Sequence, residues 1–216
     1  MKWREMYDLH IHSLYSDGDC SVDSIAKKAK ECGLSAIAIV DHSIEHPMGL
    51  TRNKAKKRYM DIENARAKYD MEIINGIECG ILADGKVVLP EFDFDLVLAS
   101  MHDIVPMDEY YRRIELCLKR NDIDILGHFH AELFNVFDGA NEKKDEEILE
   151  LLMENDVGLE VNTGHYAPPE SVLGKCPHKR IKYSVGSDSH SLSRVGDVKW
   201  GFRMANKFFK RGKSII

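Results

Sequence analysis

The sequence predicts a single α/β domain in which seven parallel strands close into a TIM-like (β/α)7 barrel. Short β-like segments alternate with helix-like segments along nearly all of the 216 residues. Mostly helical connections between strands indicate that the strands are parallel. Histidines and carboxylates also gather at the C-terminal ends of the predicted strands, the face at which barrel folds carry their functional sites. This third observation favours a closed barrel over an open sheet.

The predicted elements follow one another without a linker, a repeat or a low-complexity tract, so residues 1–216 are interpreted as one domain. The strands are Tyr7–His12, Ser35–Asp41, Glu72–Leu82, Leu96–His102, Asp124–His130, Gly158–Thr163 and Tyr183–His190. The helices are Ser21–Cys32, Thr51–Tyr69, Met107–Arg120, Glu142–Asn155 and Trp200–Lys210. Ser21 is a typical N-cap and Gly33 a typical helix stop. Three prolines between Ala167 and Lys182 predict an irregular stretch of the barrel there.

The amino-acid composition restricts the cellular compartment and the binding partners that we expect for this protein. The net charge of −6 argues against broad, sequence-independent binding of nucleic acid, which needs many Lys and Arg contacts to phosphates. The five cysteines form no C-x-x-C pair and are odd in number, which favours a reducing compartment. Met1–Glu5 is polar and predicts no signal peptide, and the apolar runs are too short to span a bilayer. We therefore expect a cytoplasmic protein without a membrane partner, while the sequence gives no prediction of oligomeric state.

Potential metal ligands recur where the predicted strands end. They are His10, His12, Asp41, His42, Glu78, His102, His128, His130, Glu160, Asn162, Asp188 and His190. Alternate strand residues share a face, so His10 pairs with His12 and Asp188 with His190. If the barrel closes, these two pairs meet and provide a mixed nitrogen and oxygen site suited to zinc, manganese or iron. Glu78, His102 and His128 could complete a second site nearby, with the carboxylate as a bridge.

The other histidines have a simpler interpretation. His46, His165 and His178 belong to no paired pattern, so each is expected to be an ordinary hydrogen-bonded histidine. His130 could lie in the site with His128 or only line its mouth. For the two pairs near the chain ends a metal is favoured, because burying so many imidazoles and carboxylates together without one would be costly.

The ordered motifs resemble the polymerase and histidinol phosphatase (PHP) family. They are Asp8-Leu9-His10-Ile11-His12, Ser16-Asp17-Gly18, Asp41-His42, Gly76-Ile77-Glu78, His102, Gly127-His128, Glu160-Val161-Asn162 and Ser187-Asp188-Ser189-His190. The resemblance extends over roughly residues 7–196 and implies a distorted seven-stranded barrel holding two to three divalent ions. It implies a first metal held by His10, His12, Glu78 and Asp188. A second would be held by Glu78, His102 and His128, and a third by Asp17, His42 and His190.

The resemblance implies a hydrolase that acts on phosphoric ester bonds through a metal-activated water. Asp8 is predicted to orient a metal-binding histidine, and Asp41 could do the same. Arg194, just after the last strand, is a candidate cation for the phosphoryl group, with an ordinary surface arginine as the alternative. The basic segment Thr51–Arg58 could attract an anionic substrate or simply form a solvated helix face.

Three functions remain open at this stage. The first is hydrolysis of a small phosphate monoester, which the acidic composition favours. The second is a phosphodiesterase or 3'-5' exonuclease, for which nucleic acid would be a substrate only. The third is a non-catalytic structural or RNA-binding barrel, which the intact ligand set disfavours.

Overall fold

The computed structural model describes residues 6–131 and 140–216 of the chain. Within them, eight strands form one sheet in the order β1 to β8, and all neighbouring strands are parallel. The strands are β1 (Tyr7–Ile11), β2 (Ala36–Ile39), β3 (Glu72–Gly80), β4 (Leu96–Ser100), β5 (Ile125–Leu126), β6 (Gly158–Asn162), β7 (Lys182–Gly186) and β8 (Lys213–Ser214). The helices are α1 (Val22–Glu31), α2 (Arg52–Tyr69), α3 (Met107–Arg120), α4 (Glu142–Glu154), α5 (Glu170–Leu173) and α6 (Lys199–Phe208). Met1–Glu5, on which the prediction of no signal peptide depends, lie outside the described residues.

The α/β class is confirmed, but the count of seven strands is wrong. The eighth strand has two residues and follows the last helix, so it is too short to produce a recognisable sequence pattern. It pairs with the beginning of β7, and its Ser214 hydroxyl lies 2.6 Å from the Tyr7 hydroxyl on β1. At the opposite end, Ile11 forms a parallel bridge with Ser189, and the His12 amide donates to the Ser189 carbonyl at 2.9 Å. The sheet is therefore curled enough for its first strand to meet the chain that follows β7.

Local sequence explains where the helices begin and end. Ser21 caps α1 by accepting the Ser24 amide, and Gly33 ends the turn after it with a φ of 73°, a conformation that glycine adopts without strain. Thr51 caps α2 and Asn141 caps α4 in the same manner. The predicted irregular stretch contains only the four-residue α5.

The strands are buried on both faces because helices cover the outside of the sheet and side chains fill its inside. No helix in the described ranges is both long and apolar enough to cross a membrane.

Several strands end earlier than the sequence pattern predicts. β5 stops at Leu126 and β7 at Gly186, so His128 and Asp188 lie beyond the strands rather than within them. Both residues have a positive φ, 22° for His128 and 52° for Asp188. Strand alternation is therefore the wrong explanation for the orientation of Asp188, since the chain has already turned. Non-glycine residues in this conformation are strained and occur often at functional sites.

Candidate metal centre

A cavity of about 430 Å³ opens at the C-terminal ends of the strands. Its lining is rich in imidazoles and carboxylates and consists of Asp17, His42, His46, Glu78, His102, His128, His165, Asp188 and His190. Seven of the nine predicted metal ligands line it, and His10 and His12 lie directly beneath, fully buried on and just after β1. The strand ends therefore bring all nine predicted residues to one place.

The first group of potential ligands surrounds the end of β1. The Nε2 atoms of His10 and His12 are 3.1 Å apart, and they lie 3.5 and 3.6 Å from Asp188 Oδ1. The carboxylate of Glu78 lies 3.6 Å from His10 and 3.4 Å from His12. The two imidazoles thus lie 3.1–3.6 Å from each other and from both carboxylates.

The second group shares Glu78 with the first. Glu78 Oε1 lies 3.3 Å from His102 Nε2 and 3.2 Å from His128 Nε2. Its other oxygen, Oε2, lies 3.1 Å from His42 Nδ1. Glu78 is 1% exposed and stands in the middle of the centre, so its two oxygens can serve different ions.

The third group forms around Asp17, on the loop after β1. Asp17 Oδ2 lies 3.4 Å from His42 Nε2 and 3.3 Å from His190 Nε2, while Asp17 Oδ1 lies 3.4 Å from His12 Nδ1. His12 and His42 therefore each face two groups, which differs from the assignment implied by the resemblance. Three sets of close ligand atoms result: His12, Asp17, His42 and His190; His10, His12 and Asp188; and His42, Glu78 and His102.

These distances fit divalent metal ions. Ligands bound tetrahedrally at roughly 2.0–2.1 Å from zinc lie about 3.3–3.4 Å from one another, close to the separations in all three groups. Most of the contacts are too long for good hydrogen bonds. The Nδ1 atoms of His12 and His42 are buried and have no hydrogen bond of acceptable geometry among the described residues. Buried imidazole nitrogens in this state are costly unless an ion accepts their lone pairs.

The charges of the cluster show how strongly its members interact. Burial opposes protonation of His10, but the carboxylates of Asp188, Glu160 and Glu78 outweigh it and hold the pKa of the imidazole well above its usual value. The same competition raises the pKa of His42 to about 10, with Glu78 and Asp17 as the opposing carboxylates. Burial raises the pKa of Glu78, yet His10, His102 and His42 reverse that effect and hold it well below its usual value. The negative charge of these carboxylates therefore has to be balanced by positive charge, which bound protons or metal ions can supply.

Glu160 and Asn162 on β6 form hydrogen bonds that hold several of the potential metal ligands in position. Glu160 Oε1 lies 2.7 Å from His10 Nδ1, which places the imidazole proton on Nδ1 and leaves Nε2 free to face the first group. Glu160 Oε2 accepts the backbone amide of His128 at 2.8 Å. The Asn162 amide nitrogen donates to Glu160 and to Asp188, each at 3.1 Å. The Glu-x-Asn spacing at a strand end was a usable signal, but it does not reveal this positioning role.

Gly186 permits this arrangement. A Cβ atom at residue 186 would collide with the Cβ of His10 and lie 2.6 Å from Glu160 Oε1. A side chain here would push β7 away from His10 and Glu160, so the close approach of these two residues requires glycine at position 186.

Of the three histidines outside the paired motifs, two line the cavity, whereas His130 does not join His128 there. His165 lines the cavity with its Nε2 3.1 Å from Asp188 Oδ2, and His46 lines it with its ring stacked on His42 at 4.3 Å. Neither lies in a paired motif, so spacing could not reveal them. His130 points away from His128, because the chain turns at φ 59°, and its Nε2 lies 2.8 Å from Asp145 Oδ1 on α4. His178 is exposed.

The two predicted catalytic residues do not take the predicted positions. Asp8 is fully buried and accepts the amides of Ser187 and Gly196, so it fastens β1 to the chain after β7 rather than orienting an imidazole. Burial raises the pKa of Asp8 to about 6. Arg194 is half-exposed, lies 3.8 Å from Asp197, and is not part of the cavity lining. The sequence placed it near a strand end, but a short 3-10 turn at Leu192–Arg194 carries it away.

Asp41 has a different role from its neighbour His42. Its carboxylate accepts the amide and hydroxyl of Ser13 and the hydroxyl of Ser16, each at 2.7 Å. It also forms a buried ion pair with Arg58, at 2.9 Å. Asp41 thus fixes the loop that presents Asp17. Arg58, the last residue of the basic segment Thr51–Arg58, therefore lies in the interior. Lys54 of the same segment donates hydrogen bonds from Nζ to the carbonyls of Tyr15, Met48 and Gly49.

Comparison with known proteins agrees with this geometry. The protein-family model of the PHP domain matches residues 8–164 of the sequence. The chain belongs to the PHP domain family, and the predicted family and hydrolase class are confirmed.

The chain covers very different shares of two similar proteins. The chain is 28% identical, over 97% of its length, to the DNA polymerase/3'-5' exonuclease PolX of Bacillus subtilis, but spans only 38% of that protein. It is 27% identical to a probable histidinol-phosphatase of Thermotoga maritima, over 88% of this chain and 87% of the relative.

A solved structure shows the same fold. It is the histidinol phosphate phosphatase of Lactococcus lactis, in complex with zinc, L-histidinol and phosphate. The TM-score is 0.70 at 21% identity, and the alignment covers 96% of this chain and 93% of the other.

Proposed function

We propose that this protein hydrolyses a small phosphate monoester with two or three divalent metal ions bound in the cavity. The observation that carries the proposal is the convergence of nine imidazole and carboxylate side chains, with Glu78 among them in contact with five of the imidazoles. His10, His12, Glu78 and Asp188 would hold one ion, Glu78, His102 and His128 a second, and Asp17, His42 and His190 a third. Zinc, manganese and iron all suit this mixture of nitrogen and oxygen ligands.

The residues of the chain divide the work of the reaction. Bound divalent ions polarise the phosphoryl oxygens and lower the pKa of a coordinated water. Glu160 holds His10 in the tautomer that presents Nε2, and Asn162 holds Asp188 in place. His46 lines the cavity, and its Nδ1 accepts the Met48 amide at 3.3 Å, so the neutral ring carries its proton on Nε2. That N–H can donate a hydrogen bond to the leaving oxygen of the ester.

Two similar proteins support a monoester. One is the probable histidinol-phosphatase of Thermotoga maritima, and the other is the solved histidinol phosphate phosphatase of Lactococcus lactis. Exonuclease activity is the second candidate, because the Bacillus polymerase is similar over nearly the whole of this chain. That residues 1–216 form one domain and that the protein is cytoplasmic stay predictions. The five free cysteines accord with the predicted cytoplasmic location.

The test is hydrolysis by protein purified without chelator and assayed for metal. We expect two to three ions per chain and release of phosphate from monoesters, abolished by a chelator and restored by manganese or zinc. Diesters and single-stranded DNA serve as the comparison substrates. Protein without metal, and unable to regain activity on any ester when metal is added, would contradict the proposal. Processive digestion of DNA with no monoester activity would favour the exonuclease instead.

Metal uptake should release protons. The raised pKa values of His10 and His42 mean that both imidazoles are protonated at neutral pH before metal binds. An ion coordinates only the neutral imidazole, so binding displaces these protons and the apparent affinity falls as the pH is lowered. Calorimetric titration of zinc into chelator-stripped protein, in two buffers with different heats of ionisation, measures the released protons. His42→Ala should release fewer of them. Identical heats in both buffers would contradict the prediction.

A further inference from the structure

A second cavity, of about 230 Å³, adjoins the metal cavity and shares His46 and His102 with it. Its other walls come from the loop after β2 and the chain that follows β3, including Glu45, Ile81 and Leu82. A phosphoester whose phosphoryl group lies in the metal cavity can therefore extend past the two shared histidines into this space. We call it the side cavity.

Glu45 is the distinctive residue of the side cavity. Its Oε1 accepts the backbone amide of Gly80, which fixes the carboxylate in place. Its Oε2 is buried and has no hydrogen-bond partner among the described residues. Gly80 keeps the space open, since a Cβ there would lie 3.3 Å from Glu45 Oε1 and 3.5 Å from His102 Nδ1. Glu45 thus lines the side cavity with a carboxylate that has one oxygen without a donor, which is unfavourable unless a ligand supplies one.

The surrounding charges specify which donor fits. Among the described residues, no Lys or Arg lines the side cavity. The other carboxylate of the lining, Asp103, is exposed and already paired with Arg113 at 2.6 Å. Glu45 also belongs to none of the close ligand groups found in residues 6–131 and 140–216, which argues against a further metal ion there. Glu45 is therefore the carboxylate of this lining that lacks a counter-ion, and a cation suits it better than a second phosphate or a carboxylate.

We propose that the side cavity receives the alcohol part of the substrate and that Glu45 binds an ammonium group on it. The inference rests on the proposed phosphatase function and extends it by a specificity-determining residue. An ammonium ion forms a charge-assisted hydrogen bond with the unpaired oxygen, which is stronger than the bond of a neutral hydroxyl. Ile81 and Leu82 contact the carbon chain between the ammonium and the ester oxygen. A nucleic-acid strand, which carries a phosphate on every nucleotide, does not fit this charge distribution.

Three two-carbon substrates test the proposal at nearly constant size: ethanolamine phosphate, ethyl phosphate and phosphoglycolate. For the metal-loaded wild-type protein, kcat/KM should decrease in that order. Glu45→Gln keeps the hydrogen bond to Gly80 but removes the charge. It should lower the ratio of kcat/KM for ethanolamine phosphate over ethyl phosphate by roughly ten- to hundredfold, mainly through KM. Glu45→Lys should reverse the order in favour of phosphoglycolate.

Asp103→Asn is the matched control, because it removes a carboxylate of the same cavity that is already paired. It should leave the substrate order unchanged, and all variants should keep the wild-type metal content. Hydrolysis of all three substrates at similar rates, or a ratio unaffected by Glu45→Gln, would overturn the role of the side cavity and leave the phosphatase function standing. No hydrolysis of any phosphate ester by metal-loaded wild-type protein would overturn both.

Discussion

Glu78→Ala is expected to empty the metal centre and to abolish hydrolysis. The two oxygens of Glu78 lie 3.1–3.6 Å from five imidazoles, those of His10, His12, His42, His102 and His128. Removing them takes a ligand from the first two groups and the charge that balances His42. The loss in kcat should exceed the roughly 10²- to 10³-fold cost of deleting one transition-state donor.

Elemental analysis and phosphate release under metal excess measure the two effects. Glu72→Ala is the matched control, because Glu72 begins the same strand at its exposed end, far from the cavity. Asp17→Ala should be intermediate, since Asp17 faces only the third group. Near-normal turnover and metal content in Glu78→Ala would refute the central position of this carboxylate.

Arg58→Met is expected to lower the free energy of unfolding more than any other substitution proposed for this chain. Arg58 is fully buried, and it binds Asp41, the Asn75 side chain at 2.8 Å and the Gly76 carbonyl. Burial raises the pKa of Asp41, but Arg58 and Ser16 outweigh that effect and hold it below its usual value. Without the guanidinium, the buried Asp41 carboxylate has no counter-ion, and breaking such a pair typically costs about 3–5 kcal/mol of unfolding free energy.

Urea denaturation of chelator-treated protein measures that cost without interference from metal binding. Arg52→Met is the control on the same helix, because Arg52 pairs with Glu91 on the surface and such pairs contribute about 0–1 kcal/mol. The double variant Arg58→Met/Asp41→Asn should lose less than the sum of the two single changes, because the residues are in direct contact. A loss below that of Arg52→Met would show that the pair does not stabilise the fold.

The ligand positions could be predicted from the sequence because they depend on chain topology. His10, Glu78 and Asp188 lie at or just after the ends of parallel strands, and such ends meet on one face of a curled sheet. The ordered motifs then led to the family. Their roles as metal ligands stay predictions until an ion is found.

The unpredicted features depend on contacts that no local pattern encodes. The backbone turn after Leu126 separates His130 from His128, although the two would share a face in a longer strand. His165 reaches Asp188 from the loop after β6, and Asp8 receives amides from the distant Ser187 and Gly196. Arg194 lies outside the cavity because a turn intervenes. The partners of His165 and Asp8 are far away in the sequence, and the backbone turns at His130 and Arg194 have no recognisable sequence pattern.

The meeting of β1 with the chain after β7 has a consequence for the energetics of the whole chain. This seam is held by few backbone hydrogen bonds, yet the first ligand group joins His10 on one side to Asp188 on the other. An ion bound there acts as a removable cross-link that closes a loop of nearly the entire chain. Closure of a long loop costs the most conformational entropy, so the unfolded chain would bind this ion far more weakly than the folded chain. Because ligand binding adds to the free energy of unfolding, the supply of metal would set both the lifetime of the folded chain and its chemistry.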